Sequence, residues 1–390
     1  MRITHVITRL IVGGAQENTI ASVLGLQRKP GFQVWLISGP STGSEGSLAP
    51  ALAHSPQTLE ILPELVRPLH PWKDWIALRR LQRRFHQTGP DIVHTHSGKA
   101  GFLGRLAAAR AGVPIIIHTI HGPSFGAFQG TAANFLFRAA ERHAGKVTTR
   151  FVSVADAMTE QYLAAGIGQR GQYTRIFSGF DLAPYQSADP VPSLHEKWGL
   201  ATTDFVVGKI ARLFKLKGHE DLFAAAPTLV KRCPQLKFLL VGDGPWRTRF
   251  ENHVRRLGLD RHFIFTGLVT PAEIPGLIGL MDVVVHLSRR EGLPRALPQA
   301  MAAGKPVVAV DCDGAKEVCL ENETGFLLKP GDRSGLIDRL LRLAADPALR
   351  ERLGKKGKEF AGARFGVERM IDDLHELYLS LARGHRPPLL

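Results

Sequence analysis

Cysteine is scarce: Cys233, Cys312 and Cys319 are the whole complement of a 390-residue chain. An odd and sparse set does not make a disulfide framework, so these read as reduced, mostly buried thiols of a cytoplasmic protein. Long hydrophobic runs are also missing. No uninterrupted apolar stretch reaches the roughly 18 residues that span a bilayer. The opening MRITHVITRL lacks an extended apolar segment and runs into a glycine turn, which argues against a secretory signal. Aromatic residues are only 7% and no nucleic-acid recognition motif is present, so a nucleic-acid partner is not expected. No short-period repeat or low-complexity tract is visible. The dinucleotide fingerprint G-x-G-x-x-G is missing as well: Gly242-Asp243-Gly244 is followed by Arg247 where the third glycine would stand.

Acidic residues are the minority charge, 35 against 50 basic ones, for a net +15. The excess is uneven. Residues 1–178 hold 19 basic and 9 acidic side chains, the remainder 31 and 26. Nucleic acid, anionic lipid headgroups or a phosphorylated ligand would each suit such a surface, as would an ordinary solvated basic face.

What is present is globular: 44% apolar and 22% charged residues. At roughly 150 residues per domain the length predicts two or three domains. Apolar, β-branched runs at 3–8, 32–38, 91–94, 115–119 and 151–154 alternate with helical spacing at 16–27, 72–86, 99–109 and 132–143. Such alternation predicts βαβ units and a parallel sheet. DLAPYQSADPVP, residues 181–192, breaks the pattern and reads as a linker. The alternation then restarts, with strands at 205–210, 237–241, 263–266, 283–287 and 307–310, and the chain ends in helices from 334 to 381. Two doubly wound α/β halves are expected. Open parallel sheets bind ligands at the carboxyl ends of their strands, so the chemistry is sought on post-strand loops, with a cleft between the halves.

Gly13-Gly14-Ala15-Gln16 follows the first strand and opens a helix whose N-terminal amides suit an anion. The pairs His94/His96 and His118/His121 sit at strand ends. No neighbouring cysteine or carboxylate completes a metal site, so a polar contact to a sugar or phosphate is the better reading, with His121-Gly122 foremost. In ARLFKLKG, Arg212 and Lys217 flank a loop before a helix. A guanidinium fork, a point charge and a helix dipole together favour a diphosphate. The densest segment is SRREGLPRALPQAMAAGKPVVA. Glu291 stands just after a strand, Gly292 keeps the backbone accessible, and a helix starting near Pro294 offers N–H groups; Gln299 lies about two turns on. Asp311-Cys312-Asp313 offers a D-x-D, but Arg212 and Lys217 already cover a diphosphate, so no metal site is assigned.

With these motifs in order, GGAQ, HTHSGKAGFLGRLAA, HTIHG, ARLFKLKG, VGDGP and EGLPRALPQAMAAGKPVVA followed by GAKEVCLENETGFLL, the chain resembles a retaining glycosyltransferase of family 4. The resemblance is closest to the bacterial branch that builds capsule, exopolysaccharide or lipid-linked oligosaccharide. It implies the GT-B fold, two facing Rossmann-like domains with a C-terminal helix crossing back to the first. The expected boundaries are 1–180 for the acceptor domain, 193–365 for the nucleotide-sugar domain and 366–383 for the returning helix.

The resemblance also implies roles. Gly13 and Gly14 would lie under the donor, and His121 would contact its sugar. Arg212 and Lys217 would neutralise the diphosphate leaving group, Glu291 would hold a sugar hydroxyl, and the Gly292 and Leu293 amides would sit near sugar and phosphate. Where the family carries a second glutamate on the ribose this chain has Gln299, whose neutral amide accepts a weaker hydrogen bond. The implied reaction moves a hexosyl group from a UDP- or GDP-linked sugar to an acceptor hydroxyl, without cofactor or metal. The acceptor would be carried on polyprenyl diphosphate or another lipid. The basic segment 79–86, with Leu81 and Phe85, would rest on an anionic membrane surface, placing the protein at the inner face of the membrane. A nucleotide-sugar 2-epimerase, which needs no acceptor, and a non-catalytic nucleotide-sugar-binding protein are the alternatives.

Overall fold

The computed structural model describes residues 1–41, 46–52, 58–126, 128–188 and 192–384. The chain forms two compact units. The first is Met1–Gly179 together with the terminal helix Val367–Gly384; the second is Phe180–Gly366.

The first unit holds seven strands: β1 (Arg2–Ile7), β2 (Gln33–Ser38), β3 (Leu59–Ile61), β4 (Ile92–His96), β5 (Ile115–Ile120), β6 (Arg150–Ser153) and β7 (Tyr173–Arg175). Their order is β3-β2-β1-β4-β5-β6-β7 and every pairing is parallel. β4 and β5 are buried along their whole length, which is why their sequences are continuous apolar runs interrupted only by histidine and threonine. The second unit repeats the design with β8 (Phe205–Ile210), β9 (Leu236–Val241), β10 (Phe263–Gly267), β11 (Val283–His286), β12 (Val307–Val310) and β13 (Gly325–Leu328). The order is β10-β9-β8-β11-β12-β13, again all parallel. In each sheet the chain winds outward one way and then the other. The winding reverses between β1 and β4 in the first unit and between β8 and β11 in the second, and the loops leaving those pairs are where a doubly wound sheet binds ligand.

The core of the first unit joins Ile3, Ile7, Ile20, Val23 and Ile92 to Met370, Ile371, Leu374 and Tyr378 of the terminal helix. That helix lies close on Gly14–Gln27: a Cβ at Gly25 would stand 2.1 Å from Ile371 Cδ1. Glycine is needed there for approach, not for torsion.

Three expectations change. Part of the expected linker is packed structure: Ala183–Gln186 is a helical turn of the second unit, with Leu182 and Tyr185 buried. Apolar anchors beside a proline made a folded turn look like a spacer; residues 189–191 lie outside the described residues. The edge strands β3 and β7 are also new, since three residues are too few to show a period. Finally, Leu81 and Phe85 do not face outward. With Ala77 they form the buried stripe, at four-residue spacing, of the helix Pro71–Thr88. The exposed apolar groups on that helix are Trp72 and Trp75.

Candidate active site at the carboxyl ends of the strands

In the second unit the loops leaving β8 and β11 interlock. Gly218 has φ +69°, and a Cβ there would stand 2.0 Å from the Leu287 carbonyl oxygen, so only glycine lets the two loops meet. Leu216 is also left-handed at φ +67°, and its carbonyl accepts from the Arg289 N–H at 2.8 Å. A leucine in that region stores strain, as residues at functional loops often do. The result raises Lys217 between two left-handed residues and brings its Nζ to 2.5 Å from Glu291 Oε1.

The same oxygen takes a hydrogen bond from Ser288 Oγ at 2.9 Å and has His286 Nε2 3.8 Å away. The Glu291 N–H donates to Asp313 Oδ2 at 2.7 Å, and the Gly292 carbonyl accepts from the Gly314 N–H at 3.1 Å. Asp313, at φ +50°, therefore latches the loop after β12 to the loop that carries Glu291. The described side-chain contacts of Glu291 all fall on Oε1, and none falls on Oε2. Burial would raise the Glu291 carboxyl, but Lys217, His286 and Ser288 outweigh it and hold the group below its ordinary value, ionised at neutral pH. Burial lowers His286 to about 4, so it is neutral there.

Two buried groups in this region escaped the sequence reading. Lys209 of β8 is 1% exposed and its Nζ has no hydrogen-bond partner. Burial, reinforced by Lys217, lowers its pKa to about 7 against the pull of Glu291 and Asp221. His219 opens the next helix with both ring nitrogens buried and unpartnered, and burial lowers it to about 2. The signal for Lys209 was a lone cation inside the strand FVVGKI, in step with inward-facing Phe205 and Val207. His286, Ser288 and Asp313 needed the register of β8, β11 and β12 to be known.

The other predicted residues are placed as follows. Arg212 is exposed just after β8, its guanidinium 5.7 Å over the Phe214 ring. Gly292 and Leu293 are buried, and the helix that follows is Ala296–Ala302, starting two residues after Pro294. Gln299 is buried, and its Nε2 donates to Tyr185 Oη at 2.7 Å. Asp311 is exposed, whereas Asp313 is committed to the Glu291 backbone. In the first unit Gly13 caps the helix Gly14–Gln27, and Gly14 is exposed at its first turn. Thr8 and Ser97 Oγ atoms, 2.7 Å apart, tie the loops after β1 and β4 together.

The four histidines that the sequence singled out in the first unit divide. His94, His96 and His118 are interior, whereas His121, just past β5, is half-buried. His118 lies 2.9 Å from Thr95 Oγ1. His121 Nε2 is 2.9 Å from His96 Nδ1, and His96 Nε2 is 2.9 Å from His5 Nδ1. The nitrogens of His5, His94 and His96 fall within 4.8 Å of one another. All six of those nitrogens are engaged with side chains. The three rings thus belong to one hydrogen-bonded row, His5 and His96 joined directly and His94 through Tyr378.

Known proteins resemble this chain over most of its length. The family described as Glycosyltransferase Family 4 matches residues 12–183, and the family described as Glycosyl transferases group 1 matches residues 191–360. A putative glycosyltransferase, EpsD of Bacillus subtilis, is 30% identical over 307 residues, 77% of this chain and 79% of its own. The UDP-Gal:alpha-D-GlcNAc-diphosphoundecaprenol alpha-1,3-galactosyltransferase of Escherichia coli is 27% identical over 98% of this chain and 97% of its own. Among solved structures, Anabaena HepE in complex with UDP and glucose superposes with a TM-score of 0.82 at 24% identity, covering 97% of this chain and all of that one.

Proposed function

Because the chain belongs to the family 4-like glycosyltransferases of GT-B fold, we propose that it transfers a hexosyl group from a nucleoside-diphosphate sugar to a lipid-linked acceptor hydroxyl, with retention of anomeric configuration, in cell-surface polysaccharide or lipid-linked oligosaccharide synthesis. The observation that carries this reading is the Lys217–Glu291–Ser288 cluster at the switch point of the second sheet. An ionised carboxylate with one committed oxygen and one presented oxygen suits a sugar hydroxyl, and the adjacent ammonium suits the phosphate that leaves from the same sugar.

In this reading the developing negative charge on the diphosphate is what the protein must stabilise. Lys217 and Arg212 supply the cations, so a divalent metal is not needed for that charge. Glu291 Oε2 accepts from a hydroxyl of the transferred hexose and orients its anomeric carbon. The Gln299 amide nitrogen is held by Tyr185, which leaves its carbonyl oxygen to accept from a ribose hydroxyl. Gly13 and Gly14, and the amides of Gly292 and Leu293, are assigned to the donor's phosphate and sugar. His121 is assigned the polar contact to the transferred sugar that the family resemblance implies.

A uracil nucleotide is favoured by the UDP-Gal named for the Escherichia coli relative and the UDP bound to HepE. A polyprenyl-diphosphate acceptor is favoured by the diphosphoundecaprenol in the same relative's name. Among the described residues no helix is long and apolar enough to cross a membrane. The helix Pro71–Thr88 instead exposes Trp72 and Trp75, stacked at 5.3 Å, with Arg79 5.7 Å from the Trp75 ring centre and Arg83 beyond. Indole rings beside guanidinium groups suit the interface of an anionic leaflet, and we assign that helix to the inner membrane face.

Nucleotide binding tests the site. Thermal shifts with UDP, GDP, ADP and their sugars, with and without magnesium, are expected to single out one nucleotide without need of metal. K217A should weaken both the nucleotide and its sugar by about tenfold or more, the loss of a charge-assisted contact. E291Q should spare the free nucleotide and weaken only the sugar nucleotide. Equal losses for both ligands in E291Q, or no shift with any nucleotide, would remove the proposed roles.

A further inference from the structure

The histidine row in the first unit continues beyond the three nitrogen-to-nitrogen neighbours and reaches the last helix of the chain. From the surface inward, His121 Nε2 meets His96 Nδ1 at 2.9 Å and His96 Nε2 meets His5 Nδ1 at 2.9 Å. His5 Nε2 meets the Tyr378 hydroxyl at 3.4 Å, the same hydroxyl meets His94 Nδ1, and His94 Nε2 meets Thr119 Oγ1 at 2.6 Å. Five hydrogen bonds thus join six side chains. The sheet places them: His5 stands opposite His94 across β1 and β4, and His96 opposite Thr119 across β4 and β5, all on the face that carries Ile3, Ile92 and Ile115 and is covered by Tyr378. Apart from His121 every member is at most 4% exposed.

Burial keeps the four histidines uncharged at neutral pH. A neutral imidazole has one N–H and one lone pair. Each link of the row can hold only one proton, and each imidazole passes the donor sense on; Tyr378 keeps it too, because accepting from both His94 and His5 would strand its own buried hydroxyl proton, so the donors all point the same way. If they point inward, His121 donates from Nε2 and Thr119 receives the last proton; its own hydroxyl proton then needs another acceptor. If they point outward, Thr119 donates to His94 Nε2, His94 Nδ1–H to Tyr378, Tyr378 to His5 Nε2, His5 Nδ1–H to His96 Nε2 and His96 Nδ1–H to His121 Nε2. His94 Nε2 is the one side-chain partner of the Thr119 hydroxyl among the described contacts, so the outward sense leaves no buried donor stranded.

We propose that Thr119, His94, Tyr378, His5 and His96 act as positioning residues that fix His121 as its Nδ1–H tautomer, so that at the carboxyl edge of the first sheet it presents a hydrogen-bond donor to a ligand oxygen. This rests on the reading of His121 as a sugar contact only for its effect on turnover. The tautomer itself is a property of the free protein. A donor there takes a hydroxyl or phosphate oxygen as partner and cannot act as the base that deprotonates an acceptor.

The test is nitrogen NMR of the full-length chain labelled with 15N-histidine, with the His121 signals identified by their loss in H121N. In the parent protein and in T119S, which keeps the hydroxyl, the proton of His121 should sit on Nδ1. In T119V, which removes the terminal donor, and in Y378F, which cuts the row at its middle, the two nitrogen shifts should move toward each other as both tautomers become populated. Turnover in those two variants should fall about tenfold in kcat with KM within twofold, since one oriented hydrogen bond is disordered, and T119S should retain parent turnover. Circular dichroism and thermal melting establish that each variant is folded, and if Y378F is not, T119V against T119S carries the comparison. Nε2–H in the parent protein, or an unmoved Nδ1–H in T119V, would overturn the proposal. A parent protein with the expected tautomer and no transfer activity would instead sink the enzymatic reading and leave the row intact.

Discussion

At the scale of single residues, the site depends on what each polar atom has left to offer. Glu291 has one oxygen saturated by Lys217 and Ser288, and no described side-chain contact on the other. Lys217 and Glu291 were legible in the sequence because each belongs to a post-strand loop with a glycine beside it. Lys209 was not, since only the register of β8 shows that it points inward with Phe205 and Val207. Its buried ammonium, lowered to about 7 from an ordinary 10.5, costs stability whenever it is charged. The folded pKa is the lower one, so between pH 7 and 10.5 the unfolded chain holds a proton that the folded chain has released, and stability rises with pH across that window. K209M removes the group. Its melting temperature should exceed the parent's by several degrees at pH 7, roughly 2–4 °C per kcal/mol for a domain of this size, with the gap closing toward pH 10. Superimposable melting curves for the two proteins at both pH values would show that Lys209 carries no such penalty.

At the scale of elements, period decided what could be foreseen. The long helices and buried strands of both sheets follow from alternation in the sequence. β3 and β7 do not, having three residues each at a sheet edge. The basic segment 79–86 shows a different limit. Its four arginines were visible, but the direction of Leu81 and Phe85 depends on Ala77 completing a stripe toward the sheet. Two of those arginines are paired, Arg80 with Glu64 and Arg84 with Glu60. Close helix contact was likewise invisible at Gly25, where the chain gives no local reason for glycine. G25V should force Ile371 and the terminal helix away and destabilise the protein by about 2 kcal/mol in urea unfolding, the usual effect of overpacking. Gly362, on the exposed surface of the helix Pro347–Arg364, is the control, because a methyl added there would meet nothing within 4 Å. G362A should stabilise by about 0.5–1 kcal/mol. A neutral G25V would mean that the two helices do not approach as closely as described.

At the scale of the whole molecule, each unit is a parallel sheet with a single winding reversal, and in each a loop beside that reversal carries a left-handed non-glycine residue. Ser97 follows β4 at φ +64° and Leu216 follows β8 at φ +67°, while Asp313 at φ +50° and Asn322 at φ +62° lie between β12 and β13. Strained non-glycine residues gathered at the carboxyl ends of strands mark where the fold gives up local comfort to position side chains. The doubly wound architecture was legible from the strand–helix alternation alone. The interior histidine row was not, because strands separated by about ninety residues and a helix at the chain's end must be assembled before His5, His94, His96 and Tyr378 meet. The positive charge is concentrated in residues 1–178, 19 basic against 9 acidic side chains.

The proposed function has this chain move a hexose from a nucleotide to a lipid-linked acceptor. To test this, radiolabelled UDP-hexoses are offered to the purified protein on vesicles containing a polyprenyl-diphosphate-linked sugar. Released UDP, labelled lipid and the anomeric configuration of the product by proton NMR are followed together. Equal amounts of UDP and labelled lipid are expected, with the donor's configuration retained. The rate should fall about a hundredfold in E291Q, in which a charge-assisted contact to the reacting sugar is lost. Bound nucleotide with no transfer to any acceptor, or a sugar nucleotide altered without an acceptor present, would contradict it.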